Sequence, residues 1–446
     1  MRARLFGTDG MRGVALAAPL DRPTLTRLGA ALAAHLRDAG LPTKVLMAGD
    51  TRASTPVLAE WLGGAFAAAG GELRWAGVLP TPAVSHLLRD AGGYGAGVVI
   101  SASHNPAADN GVKLVTGGGT KWPVSQERRL EERLAAMTAD VAAAPLPAAE
   151  AHWRDRYLEL LEASLPARPL AGSRLVVDAA NGAASPVAGA FFAALGAGVA
   201  TIHAEPDGSN INARCGALFP DLLAAEVQRA GADAGVALDG DADRAILVTA
   251  SGRVLDGDDA LLMWARSLAA GGELPEMTVV ATVMSNLGLE VALRREAIRL
   301  VRCPVGDREV WEAMQRSGAG LGGEQSGHVI CSRLSVTGDG LLTAAHLLAA
   351  ARLAGTTLDR AADLERFPQV LLNVRVGTRR PVDEVPELAA AVRSAESRLS
   401  DNGRVFVRYS GTEPLLRIMV EAQEDALARE TAEGIADVAR RRLGSG

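Results

Sequence analysis

The chain has 446 residues, 46 of them Lys or Arg and 52 Asp or Glu, for a formal charge of −6; 48% are hydrophobic and 22% charged. That size allows two to four domains with sizeable cores, and the charge balance excludes a basic footprint for nucleic acid or for an anionic membrane. Cys215, Cys303 and Cys331 are few and unclustered, as suits a reducing compartment without a disulfide framework. The first residues lack the apolar core of a signal peptide. No apolar run is long enough to span a bilayer, since the Leu341–Leu353 stretch carries His346 and Arg352. A cytoplasmic location is expected.

Phe6-Gly-Thr-Asp-Gly-Met-Arg-Gly13 is glycine-rich and irregular and carries Arg12. A unit then recurs. Strand Val45–Ala48, turn Gly49–Pro56, helix Val57–Ala69 and strand Leu73–Val78 form the first copy. The second has strand Leu175–Val177, helix Val187–Leu195 and strand Val199–His203. The third has strand Val279–Val283, helix Leu287–Arg295 and strand Ile298–Arg302. These are three copies of a strand–helix–strand plan, diverged in sequence. Each continues to a further strand, Ala96–Ile100, Ala234–Leu238 or Gly320-Leu321, and each of those ends in a polar loop. Open α/β sheets bind ligands at such strand ends, so the pattern predicts three loops facing one central cleft. Ala142–Glu150 reads as a linker, and Arg366–Gln369 ends a helical Leu341–Leu364 region. Beyond it, strand Val370–Val376, helix Glu387–Leu399, strands Val405–Arg408 and Leu415–Glu421 and helix Ala426–Leu443 predict a smaller α+β domain with an antiparallel sheet. The expected divisions are 1–150, 151–253, 254–367 and 368–446.

The loop after Ala96–Ile100 holds Ser101-Ala-Ser-His-Asn-Pro106, with Ser103 and His104 on a turn stiffened by Pro106. Ser103 is the candidate phosphoryl carrier. Of the 46 basic residues only Lys44, Lys113 and Lys121 are lysines, and two of them follow Ser103 closely. Arginine stays protonated, whereas lysine can be tuned to give and take a proton, so Lys113 and His104 are the candidate proton carriers, with Lys113 preferred. The second loop, Asp239-Gly-Asp-Ala-Asp-Arg244, alternates three carboxylates, which extended backbone would point to one side. Asp239, Asp241 and Asp243 converging there need a cation, and hard oxygen ligands favour Mg²⁺. A phosphoserine beside them would add nearly two negative charges, so the two loops explain each other. Arg244 adds a fixed positive charge. The third loop offers Glu324, Ser326 and His328 for sugar hydroxyl or amino groups. Arg408-Tyr-Ser-Gly-Thr-Glu-Pro414, with Arg417 beyond, reads as a phosphate cradle without the lysine of a P-loop. An aspartate-nucleophile phosphatase or a sugar-phosphate sensor would each leave part of this set unexplained.

Together Phe6–Gly13, Ala102-Ser-His-Asn-Pro106, Asp239–Arg244, Gly323-Glu-Gln-Ser-Gly-His328 and Ser410-Gly-Thr-Glu-Pro414 resemble, in order and over nearly the whole chain, the α-D-phosphohexomutase family. The resemblance implies a heart-shaped, four-domain protein: three similar α/β domains around a central cleft plus a smaller C-terminal α+β domain. It implies a phosphorylated Ser103, Mg²⁺ held by Asp239, Asp241 and Asp243 with Ser103, and sugar contacts at Glu324, Ser326 and His328. It also implies a phosphate clamp of Arg408, Ser410, Gly411, Thr412 and Arg417, with Arg12 and Arg244 among the catalytic residues. Pro206–Gly216, Val305-Gly-Asp-Arg308 and the Gln325–His328 form of the sugar loop point to the amino-sugar branch, feeding amino-sugar nucleotide and cell-wall precursor synthesis. There, glucosamine 1,6-bisphosphate or another hexose bisphosphate is the expected activator. The implied partner is a small sugar phosphate, without nucleic acid or membrane and compatible with a homodimer. A phosphomannomutase or phosphoglucomutase of the same family is the alternative. Tyr409 departs from the smaller or kinked residue expected after the clamp arginine, and Leu218-Phe219 from more polar residues after Cys215-Gly216.

Overall fold

Val98-Val99-Ile100 is a β-branched run with no polar face, and such a run is stable only inside a sheet covered on both sides. The computed structural model, which describes residues 4–7, 9–137, 142–410 and 413–444, buries the whole Ala96–Ile100 strand. It lies between Lys44–Gly49, to which it is parallel, and Asp109–Thr116, to which it is antiparallel. Met11–Val14 and Glu72–Val78 form the two edges. The second sheet repeats this order. Arg174–Asp178 is flanked by Gly198–Ile202 and Ala234–Leu238, the latter paired with antiparallel Ala245–Thr249, and Val254–Leu255 adds an edge. The third runs Arg299–Cys303, Thr278–Thr282, Leu321–Gly323, Val329–Cys331. In all three the first strand of a copy sits between the second and third, and a fourth returns antiparallel beside the third. The expected repeat is present.

Two elements of the first copy were not expected. Pro80 and Pro82 look like a strand stop, but they open a helix, Thr81–Ala91, because proline is tolerated in the first helical turn. Asp109-Asn-Gly111 looks like a turn, yet it starts the strand that carries Lys113. The helical region before Arg366 is also shorter than expected. Its main helix is Gly340–Leu353, capped by Asp339 Oδ1 on the Leu342 N–H (3.0 Å), followed by the single turn Leu358–Ala361.

The chain divides into two compact units, 1–284 with 300–363, and 285–299 with 364–446. The second unit has a three-stranded antiparallel sheet in the order Gln369–Arg375, Leu415–Ala422, Gly403–Tyr409, backed by helices Pro386–Leu399 and Asp425–Leu443. The helix of the third copy, Leu287–Arg295, belongs to this unit. Asn286 Nδ2 donates to the Phe367 carbonyl (2.9 Å), Leu287 N–H to Glu421 (3.3 Å), and Arg404 to the Ser285 carbonyl (3.1 Å). No helix among the described residues is long and apolar enough to cross a membrane.

Candidate active site

The three polar loops meet, as their position at equivalent strand ends predicts. Ser103 Oγ donates to Asp239 Oδ2 at 2.7 Å, and His328 Nδ1 stands 3.5 Å from Asp243 Oδ2. Asp243 and His328 line a cleft of about 730 Å³ together with Arg12, His104, Arg244, Asp307, Glu324 and Ser326, while Ser103 and Asp239 are buried beside them. Ser103 is 1% exposed and adopts φ +52°, a left-handed conformation unusual for a residue with a side chain. Its N–H donates to Ser101 Oγ (3.0 Å), and His104 Nδ1 lies 3.3 Å from its hydroxyl.

The acidic loop converges, but not as an extended strand. Residues 239–243 form a turn with Ala242 at φ +56°, and that turn brings one oxygen of each aspartate within 4.8 Å of the others. Burial, then the charges of Asp243 and Asp241, push the Asp239 carboxyl well above the usual range. Asp241 Oδ1 and Asp243 Oδ1 are buried with no hydrogen-bond partner among the described residues. Three crowded carboxylates with unused oxygens are a donor set that fits a hard divalent cation.

Lys113 does not fit the expectation of a tunable proton carrier. Its ammonium lies 2.8 Å from Asp241 Oδ2 and 3.0 Å from Asp9 Oδ2. Against burial, which favours the neutral amine, Asp241 and Asp9 hold its pKa above the ordinary value. Lys113 is thus a fixed cation. Correspondingly, the Lys113 ammonium outweighs burial at Asp241 and holds that carboxyl below the usual range. At His104 burial, then Arg244 and Arg12, lower the pKa and favour the neutral ring.

His328 also departs from expectation. The Gly338 N–H donates to Nε2 at 3.1 Å, so the ring proton sits on Nδ1, directed at Asp243. Burial opposes and Asp243 favours an added proton, with a net upward shift, but a proton on Nε2 would confront that N–H. Both nitrogens are engaged, so His328 orients Asp243 and has no lone pair for a sugar nitrogen. Glu324, 9% exposed, accepts the Gly306 N–H on Oε1 (3.0 Å) and keeps a second oxygen for the cleft. Ser326 lines the cleft beside it.

Several residues of the site carried no signal of their own in the sequence. Asp9 pairs with Lys113, Lys121 and Arg12, and Lys121 also pairs with Asp307. Thr81 Oγ1 donates to Asp241 Oδ2 (2.5 Å). Arg12 reaches Asn105 Oδ1 at 3.3 Å, which places it beside the Ser103 loop. Asp9, Asn105 and Asp307 lie inside recognised motifs, but nothing in those motifs marks them apart from solvated turn residues, and Thr81 lies in none.

In the second unit, Arg408 and Arg417 are directly opposite on paired antiparallel strands. Like charges so placed repel each other, and an anion between them would relieve the repulsion. Arg417 lies 3.5 Å from Glu413, and its Nε is buried without a partner; Arg408 has none among the described residues. Ser410 is buried, its Oγ accepting the Glu413 N–H at 3.3 Å. Gly411 and Thr412 lie outside the described residues. Tyr409 exchanges hydrogen bonds with the Arg380 main chain (2.6 and 3.2 Å), while Leu218 and Phe219 are exposed apolar side chains.

A second potential ligand group, Asp178, His203 and Cys215, lies in the second α/β domain. Its carboxylate already accepts from the Ala180 and Gly216 N–H groups, and His203 Nδ1 lies 2.9 Å from it. Burial and Asp178 push the Cys215 thiol up to about 12. This is a satisfied structural bond network.

Residues 3–140, 155–252 and 256–367 match domains I, II and III of phosphoglucomutase/phosphomannomutase, each described as alpha/beta/alpha, and residues 371–438 match its C-terminal domain. The chain belongs to the phosphoglucomutase/phosphomannomutase family. It is 47% identical over 447 residues to the phosphoglucosamine mutase of Solibacter usitatus, covering 100% of both chains. It is 46% identical over 454 residues to that of Frankia alni, covering 99% of each. Among solved structures, a phosphoglucomutase/phosphomannomutase family protein from Burkholderia thailandensis superposes with a TM-score of 0.83 at 24% identity, covering 99% of this chain and 98% of that one. The N-acetylphosphoglucosamine mutase of Aspergillus fumigatus, solved with GlcNAc-6P and magnesium, gives 0.65 at 21% identity, covering 98% and 95%. At these identities the likeness speaks for the fold.

Proposed function

We propose that the chain is an intramolecular phosphotransferase that interconverts glucosamine 6-phosphate and glucosamine 1-phosphate through a phosphorylated Ser103 and a 1,6-bisphosphate. Full-length relatives that are phosphoglucosamine mutases, at 42–47% identity, support the activity. The observation that carries the residue assignment is the buried Ser103 hydroxyl 2.7 Å from Asp239 of a crowded aspartate triad, with the adjacent His104 and the triad's Asp243 lining the same cleft as Glu324. In this reading the chain divides at 1–150, 151–253, 254–367 and 368–446, one functional loop to each part.

Asp239, Asp241 and Asp243, with an oxygen from Ser103, would hold Mg²⁺, which supplies neutralisation of the phosphoryl oxygens. The Oγ–P bond of Ser103 breaks as the free sugar hydroxyl bonds to phosphorus. The hydroxyl's proton passes to His104, whose imidazole is neutral and beside Oγ. After the bisphosphate turns over in the cleft, Ser103 takes the other phosphoryl group and the proton returns to the departing sugar oxygen. Arg12, Lys113 and Arg244 act as fixed charges that stabilise the transferring group, and a hexose 1,6-bisphosphate recharges any serine that has lost its phosphate.

Arg408 and Arg417, with Ser410, Gly411 and Thr412, bind the phosphate that is not reacting. Arg408→Ala removes charge-assisted bonds that contribute about 1.5–3 kcal/mol, so kcat/KM should fall roughly 10- to 100-fold. Ser103 should still accept phosphate from a bisphosphate donor, as read by intact mass. An unchanged kcat/KM would place the phosphate elsewhere.

The choice of sugar tests the reading as a whole. Glucosamine phosphate carries an amino group at C2, and Glu324 is the acid in the sugar loop with an oxygen to spare. We expect higher kcat/KM for glucosamine phosphate than for glucose or mannose phosphate, with a narrower margin in Glu324→Gln, which keeps the shape and removes the charge. Equal rates on all three sugars in the wild type would make the chain a general hexose phosphate mutase. A proportional loss on all three in the variant would make Glu324 an anchor without selectivity.

A further inference from the structure

A serine that gives up and takes back a phosphoryl group must present Oγ at the same place in both half-reactions. Here that serine is held in a left-handed conformation, so something has to keep it there. Two side chains do, and each spans the same pair of carbonyls. Arg52 Nη2 donates to the carbonyls of Ser103 (3.1 Å) and Asn105 (2.5 Å). Asn212 Nδ2 donates to the same two, at 2.9 and 3.0 Å. Flipping the Asn212 amide would set its oxygen against two carbonyl oxygens, which fixes the orientation.

Asn212 lies 109 residues from Ser103, in the Pro206–Gly216 stretch that the catalytic reading leaves without a role. Its own backbone is anchored: φ is +58°, which asparagine tolerates, and its N–H donates to the Ala180 carbonyl (2.9 Å). The same stretch docks on the turn that carries Arg52, through the Ala53 N–H on the Gly208 carbonyl (2.9 Å). Thr51 Oγ1 adds a bond to the Asn181 carbonyl (2.5 Å). Gly240 makes room, since a Cβ there would fall 2.6 Å from the Ser103 carbonyl and 2.7 Å from Asn212 Nδ2.

We propose that Asn212, together with Arg52, is a positioning residue that holds the phosphoryl-carrying serine in its left-handed conformation, so that the second α/β domain sets the aim of a nucleophile on the first. The inference rests on Ser103 as the phosphoryl carrier. Asn212 is not among the residues lining the cleft, so its loss should misplace Oγ without weakening the hold on the sugar phosphate. Misplacement by about 1 Å can cost about 10²-fold in rate.

The test uses Asn212→Gly in the full chain. Glycine accepts the left-handed backbone and removes both donors. With glucosamine 6-phosphate as substrate and glucose 1,6-bisphosphate as activator, kcat should fall by about 10²-fold with KM within about twofold of wild type, and intact mass should still show phosphate on the protein. A kcat within about twofold of wild type, or a loss carried entirely by KM, overturns the proposal. Ser103→Ala runs beside it. If that variant turns over, the serine reading itself has failed, an outcome distinct from an inert Asn212. Should thermal melting show Asn212→Gly unfolded, Asn212→Asp carries the test. It keeps the shape and the left-handed tolerance but turns an acceptor toward both carbonyls, so kcat must fall at least as far, and wild-type turnover overturns the proposal.

Discussion

Ser103→Ala should abolish mutase turnover while leaving a folded chain. The hydroxyl is buried and donates to Asp239, so its loss costs about 1–2 kcal/mol of stability, a modest drop in the melting temperature. The nearby Lys113 cannot replace it, since its ammonium is occupied by Asp9 and Asp241. The variant should carry no phosphate by intact mass and should show no isomerisation in a coupled assay, even with sugar bisphosphate supplied in excess. Appreciable turnover under those conditions would show that the phosphoryl group travels without a covalent stop on serine.

Asp241→Asn should slow phosphoryl transfer by about 10²-fold or more, the scale on which fixed charge stabilises such transition states. One carboxylate here faces two demands. Its Oδ2 accepts from Lys113 and Thr81, and its Oδ1 is left bare beside two other aspartates. An amide keeps the volume, but it weakens the hold on a divalent cation and leaves Lys113 with Asp9 as its remaining close carboxylate partner. Cation affinity, measured by titration calorimetry with Mg²⁺ on the variant and the wild type, separates the two effects. Weaker Mg²⁺ binding with slower transfer supports a metal seat at the triad. Full activity of chelator-treated wild-type protein would remove the metal from the reaction.

The parts of this site that could be read in advance are those written locally. Val98-Val99-Ile100 ending in small polar residues marks a buried strand with a functional loop. The spacing of Asp239, Asp241 and Asp243 marks three carboxylates that converge and could hold a cation, although their convergence comes from a turn at Ala242 and not from strand alternation. What could not be read is what depends on contacts between distant residues. Lys113 was expected to give and take a proton, but two carboxylates, one of them 104 positions away, stand beside its ammonium and hold its pKa up. His328 was expected to face sugar, but the Gly338 N–H claims the nitrogen it would have used. The Leu287–Arg295 helix was assigned to the third copy by order, and the domain III match spans it, but order does not tell that Leu287 N–H bonds to Glu421 of the C-terminal part. Composition and periodicity say nothing of such pairings, since they are properties of the folded chain.

The backbone at Ser103 also bears on which alcohol the chain can use. Threonine offers the same hydroxyl, and as a phosphoryl carrier its chemistry would be nearly equivalent. At φ +52°, however, a residue branched at Cβ is a steric outlier, while serine is only uncommon. The residue is also almost fully buried, with 1% of its surface exposed. The main chain thus favours a primary over a secondary alcohol at this position before any question of reactivity arises.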